Sequence, residues 1–194
     1  RAFMLEEALV RYCAPTLAGL KSGSLFNYSY LSLDYLLERI KHWNERCWEK
    51  GVRMTILSSG RGKSLVYVYR ADKLKQDWAS PNIFEFLESI GYDPRDPEQS
   101  IALLSRRTKE KGAFPHEIGL FLSYPFEDVI GFIENKGKNC KYCGCWKVYS
   151  DETACKKLFQ KYKKCTSVYC DCFLRGVSCL LYTSPSPRDR QKSR

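Results

Sequence analysis

Leu5, Ala8, Leu9 and Tyr12 recur at helical spacing and predict that the chain opens with a helix. Pro15 is expected to interrupt it and to start a second short helix over 14–21, because proline suits the first position of a helix. Ser22, Gly23 and Ser24 then read as a turn. The clearest apolar stripe follows, in Leu33, Leu36, Leu37, Ile40, Asn44 and Cys47, with Ser32 as its cap and Gly51 as its stop. Segments 52–57 and 65–69 are rich in β-branched and aromatic residues around a polar, glycine-bearing stretch, which predicts a hairpin.

The pattern is helical again over 74–90, with a break at Pro81, and a loop over 93–97 leads into a helix through Ile101 and Leu104 that Gly112 closes. His116 to Leu122 is short and apolar, and its periodicity does not separate strand from helix. Pro125 opens another helix, with Glu127 and Asp128 at its positive end and Gly137 as its stop. Segment 145–149 reads as a strand. Ser150, Asp151 and Glu152 cap a last helix whose inner stripe is Ala154, Leu158, Tyr162 and Cys165. Helices interleaved with a few strands, one pair of them antiparallel, predict an α+β domain. The expected architecture is a small mixed or antiparallel sheet packed with several helices. No internal repeat or linker is visible.

Length and composition fit that expectation. The 194 residues suit one domain, and a chain of this size buries enough surface to need no disulfide or metal staple. No apolar run approaches the roughly 20 residues that span a bilayer, so no membrane partner is expected. No export signal is visible either, which predicts a cytoplasmic protein with reduced thiols. Arg1 is not an initiator Met, and the beginning is read as truncated. At the other end, Cys179 to Asp189 resembles the in-frame translation of a transposon-end sequencing adapter. The domain is therefore expected to span 1–178, with 179–194 a non-native or disordered tail. The tail carries four basic residues against Asp189, so the formal net charge of +10 falls to +7 for the body.

Three stretches, 13–21, 114–129 and 131–149, together with Leu65 to Arg70, resemble a bacterial family known as domain of unknown function 3793, common in clostridia and related anaerobes. The resemblance runs from about Glu6 to about Gly176. It implies a cytosolic bacterial protein and supplies no mechanism. The family usually has Gly where this chain has Ser123, and often an aromatic residue where it has Cys145.

Several side chains are candidates for chemistry. His116 beside Glu117 can serve as a general base or metal ligand. The plainer alternative is a helix-start pair, because adjacent residues on a helix do not face each other. Cys13, near the start of the expected second helix, can be a nucleophile paired with His116, or simply a small buried residue. Cys140, Cys143 and Cys145 have the spacing of a metal knuckle, with Cys170 and Cys172 as distant further ligands. Ser59 to Ser64 looks like part of a phosphate loop but lacks its first glycine and precedes a strand, so it reads as a hairpin turn. The lysines of 136–164 form either a nucleic-acid surface, with Tyr142, Trp146 and Tyr149 for stacking, or a solvated helix face.

The leading expectation is a module that binds a small anionic molecule or flat cofactor. Lys21, Lys138 and Lys147 would supply charge, Tyr124, Trp146 and Tyr149 apolar walls, and Asp128 a polar contact. The identity of the cofactor stays open. An enzyme using His116 with Cys13 or Glu117, a Cys-ligated metal protein and a nucleic-acid binder are the alternatives. The idea requires segments 13–21, 116–128 and 138–149 to meet in one recess.

Overall fold

A computed structural model describes residues 4–110 and 114–185 of the chain. Its core is a three-stranded antiparallel sheet of β1 (Gly23–Ser29), β2 (Arg53–Gly60) and β3 (Lys63–Tyr69), in the order β1-β3-β2. The expected α+β class is therefore the observed one, and the sheet is the antiparallel alternative. Strand β3 lies in the middle and is buried on both faces. Val66 and Val68 join one apolar cluster, and Tyr67 and Tyr69 join another, as the two-residue alternation of a strand requires. The β2–β3 turn uses Arg61 at φ 52° and Gly62 at φ 75°, the paired left-handed geometry that a tight hairpin favours.

The first cluster packs helices α1 (Leu5–Leu17) and α2 (Leu33–Cys47) on the sheet. The cap and stop of α2 match their prediction: the Ser32 hydroxyl accepts from the Tyr35 N–H at 3.3 Å, and Gly51 closes the following 3-10 turn at φ 71°; on its stripe Leu37 is exposed and Trp43 is buried instead. Asn44 exchanges two hydrogen bonds with the Met54 backbone, at 2.9 and 2.8 Å, and so pins α2 to β2.

Helix α1 corrects the expected interruption at Pro15, which lies inside it. Proline forfeits an intrahelical hydrogen bond, but the loss falls near the helix end. There, the buried Arg70 guanidinium donates to the carbonyls of Thr16 and Leu17, both at 2.7 Å. A cation at the negative end of a helix is also favourable electrostatically.

Strand β1 corrects the turn expected over 22–24. Glycine at its head is a packing requirement: a Cβ on Gly23 would lie 2.2 Å from the Phe121 carbonyl oxygen and 2.6 Å from the Tyr67 ring.

The second cluster covers the other face with α3 (Ala71–Trp78), α4 (Pro81–Ser89), α5 (Pro97–Lys109) and a 3-10 turn, His116–Phe121. The expected break at Pro81 separates α3 from α4. Asp96 caps α5 by accepting from the Gln99 N–H at 3.1 Å. Gly112, expected to close that helix, lies outside the described residues.

Helix α6 (Phe126–Glu134), the hairpin of β4 (Tyr142–Cys143) and β5 (Lys147–Val148), and the long helix α7 (Glu152–Leu174) complete the body. The strand expected over 145–149 is thus shorter and paired. Helix α7 buries Cys155, Phe159, Tyr162 and Tyr169, while Ala154 is exposed and Leu158 half-buried. The expected stripe is therefore displaced by one residue in its first turns.

The chain also packs beyond the expected boundary at 178. Cys179–Tyr182 forms a turn of helix, α8, with Cys179 buried and its N–H donating to Glu6 at 2.8 Å. The apolar residues of this segment find the α1 cluster, although the tail as a whole is polar. Residues 186–194 of that tail lie outside the described residues. No helix among the described residues is long and apolar enough to cross a membrane.

Candidate functional site

Two recesses flank the third apolar cluster, where Trp146, Val148, Phe159 and Tyr162 join the hairpin to α7. The larger, of about 820 Å³, lies between α1, α7 and the β4–β5 hairpin, with Tyr12, Lys21, Tyr142, Cys145, Tyr162 and Lys163 among its lining. The smaller, of about 300 Å³, holds His116, Gly119, Tyr124, Phe132, Trp146 and Lys147. Tyr124 and Trp146 stack at 4.6 Å between ring centroids, and the Lys21 ammonium lies 5.9 Å from the same Tyr124 ring. The expected single cleft is therefore two recesses, with Lys21 lining the larger and Tyr124 and Trp146 lining the smaller.

Asp128 holds this region together. One carboxylate oxygen accepts from the Tyr149 and Ser150 backbone N–H groups, both at 2.8 Å, and the other accepts from Trp146 Nε1 at 2.7 Å. The Cys155 thiol donates to it at 3.5 Å. Burial works to raise the Asp128 pKa, but the donors from Tyr149, Ser150 and Trp146 outweigh it and hold the group below the usual carboxylate value. Close packing adds to this anchoring. Gly131 carries the Tyr149 ring so tightly that a Cβ would lie 2.5 Å from it, and Gly144 meets Phe159 in the same way at 2.3 Å. Asp128 is thus an architectural group, not an open ligand contact.

Lys21 is the distinctive charge. Its ammonium lies between two rings, 5.9 Å from the Tyr124 centroid and 5.5 Å from that of Tyr162. Among the described residues no carboxylate pairs with it and no acceptor takes its protons. Burial lowers its pKa to about 8, with a partial offset from the thiols of Cys13 and Cys145. The loop that carries it is fixed at both ends. Gly19 turns the chain at φ 73°, and Ser22 is bound to Ser123 through the Ser22 N–H at 2.8 Å and between the two hydroxyls at 2.7 Å. Ser123 in turn donates to Asp77 at 2.8 Å. Ser123 also has φ 60°, a conformation that glycine adopts without strain and other residues adopt at some cost.

The other candidates are engaged elsewhere. Cys13 is completely buried in the α1 cluster, and burial pushes its thiol far above the ordinary range. It is the buried apolar residue, not a nucleophile. Glu117 accepts from the Tyr92 hydroxyl at 2.9 Å and pairs with Arg107 at 3.1 Å, so it fastens the 3-10 turn to α5 and to the segment between α4 and α5. His116 packs on Phe132, with centroids 5.0 Å apart. Among the described residues no hydrogen bond joins Cys13, His116 and Glu117 to one another.

Lys147 donates to the Gly137 carbonyl at 2.6 Å, and Tyr149 to that of Lys138 at 2.8 Å. The Lys138 side chain is exposed. Cys140 is half-buried and Cys143 and Cys145 are exposed. Among the described residues no group of three Cys, His, Asp or Glu side chains converges on a metal position. A two-residue strand and a glycine place these thiols along the rim of the hairpin.

Tyr12, Phe159 and Tyr162 line the larger recess; in the sequence Tyr12 and Tyr162 read only as helix residues and Phe159 falls off the expected stripe. Their helical spacing marks a packed face but not the partner across it. The α7 lysines 156, 157, 161, 163 and 164 are exposed, and Lys156 pairs with Glu152 at 2.6 Å. They lie on the solvated side of an amphipathic helix.

No curated protein and no solved structure matches the chain. A family profile described as protein of unknown function (DUF3793) matches residues 9–181. That span contains the Lys21 loop, the aromatic stack and the whole of α7, so the chain that folds this way belongs to the DUF3793 family.

Proposed function

We propose that the protein binds a small anionic molecule with a flat apolar part in the recess between α1, α7 and the β4–β5 hairpin. The observation that carries this reading is the Lys21 ammonium, held among aromatic rings with no counter-ion among the described residues. A half-buried cation among aromatic rings, without a partner, is unfavourable for the free protein, and an incoming anion offsets that cost. Tyr12 lines the recess and stacks one side of its ring on Phe26, at 5.7 Å between centroids. It offers a wall for a flat group, since aromatic faces accept stacked rings without demanding one sequence of donors.

The test is thermal-shift measurement with matched pairs of flat ligands, such as flavin mononucleotide against riboflavin, alongside nucleotides, haem and acyl phosphates. A ligand at a hundred times its Kd stabilises by about 2.7 kcal/mol, a rise of about 5–10 °C for a domain of this size. The phosphorylated member is expected to give the larger rise. Equal shifts for both members, or none with any ligand, count against the reading.

A further inference from the structure

We propose that Lys21 is a covalent attachment site, forming a protonated imine with an aldehyde or ketone that also carries an anionic group. The inference rests on the same recess as the binding reading above and assigns the amine a chemical role within it. Lys21 sits on a short loop fixed by Gly19 and by the Ser22–Ser123 bonds. Its ammonium faces two aromatic rings in a recess large enough for a cofactor-sized molecule. Neighbouring lysines are differently placed. Lys147 is held by a carbonyl and Lys156 by Glu152. Lys163, exposed on α7 at the rim of the same recess, is placed to face the anionic end of the ligand.

The step balances without a redox partner. The Lys21 nitrogen lone pair attacks the carbonyl carbon and breaks its π bond, giving a carbinolamine once the proton moves from nitrogen to oxygen. The carbinolamine oxygen takes a further proton from solvent and departs as water. The nitrogen lone pair forms the C=N bond, and the nitrogen keeps its remaining proton as an iminium. Imine formation needs free amine, and burial supplies it: a lysine titrating at about 8 is about one-tenth deprotonated at pH 7. An ordinary lysine, near 10.4, has only a few parts in ten thousand. Aromatic walls also slow hydrolysis by limiting water around the adduct.

The experiment treats the full chain with one equivalent of pyridoxal 5′-phosphate, reduces with borohydride and maps the modified peptide by mass spectrometry. Pyridoxal without the phosphate and the Lys21→Arg variant run in parallel, since arginine keeps the charge but leaves no reducible imine. The expected result is a single adduct on Lys21 that is absent from Lys21→Arg. The phosphate form should saturate at a concentration at least about tenfold lower than pyridoxal, as a charge-assisted contact implies. Labels spread over exposed lysines with Lys21 unmodified overturn the proposal. If flavin mononucleotide still raises the melting temperature in that case, the binding reading stands and only the covalent role falls. If neither adduct nor shift is found, both fall.

Discussion

Asp128→Ala is expected to lower the unfolding free energy by about 3–5 kcal/mol, since each buried donor left without a partner costs about 1–3 kcal/mol. Three donors are orphaned together: Trp146 Nε1 and the backbone N–H groups of Tyr149 and Ser150. Water cannot readily replace the carboxylate at Trp146, which is only 7% exposed. Urea unfolding measures the loss as a lower midpoint with an unchanged slope. The wild type should also be acid-sensitive. The Asp128 pKa is depressed in the folded chain, so its contribution is complete above the ordinary carboxylate pKa of about 3.9 and is lost as pH falls further. The variant should lack that part of the acid dependence. A loss below about 1 kcal/mol would mean that the β4–β5 hairpin is held by apolar packing alone.

Lys21→Met is expected to do the opposite to stability while removing binding. Methionine keeps much of the apolar stem and discards the charge. Anion affinity should fall about 10- to 100-fold, the equivalent of the 1.5–3 kcal/mol of a charge-assisted contact. The melting temperature at pH 7 should hold or rise, because an uncompensated ammonium has been removed.

The pH dependence follows from the lowered pKa. Below about 8 the folded wild type bears the full cost of the half-buried charge. Between there and the unfolded value near 10.4 the unfolded chain binds more protons, so wild-type stability rises with pH relative to the variant. Wild-type affinity for the anion should fall over the same range as the ammonium of the unliganded protein loses its proton. Calorimetric titrations at pH 7 and pH 9 read both trends, and an unchanged affinity in Lys21→Met would remove Lys21 from the site.

The α+β class was legible because its strongest elements announce themselves locally. Ser32 caps α2, Asp96 caps α5, and a glycine-bearing stretch separates two β-rich segments. Strand β1 was hidden because Gly23, Ser24 and Asn27 look like turn residues. What selects Gly23 is a partner far along the chain, the Tyr67–Phe121 contact that fills the space of a Cβ. Pro15 misled for a similar reason. The residue that satisfies the helix end, Arg70, is supplied by the end of β3.

The site was half legible. Lys21, Tyr124 and Trp146 do come together, and their types suggested charge beside apolar walls. The walls that α1 and α7 contribute were not visible, because Tyr12 and Tyr162 are 150 residues apart in the sequence and only the packing of α1 on α7 makes them neighbours. Conversely, Cys13 and Glu117 were chosen for reactive side chains that the fold commits to burial and to an ion pair. Reactivity by residue type says little until the partners are known.

The most direct measurement of the central claim is the titration of Lys21 itself, followed through its side-chain carbon shifts by NMR with Lys21→Met providing the assignment. A midpoint near 8 in the free protein, rising by a unit or more when flavin mononucleotide is added, is the result predicted for a half-buried amine awaiting an anion. A midpoint near the ordinary 10.4, unmoved by any anion tried, would contradict it.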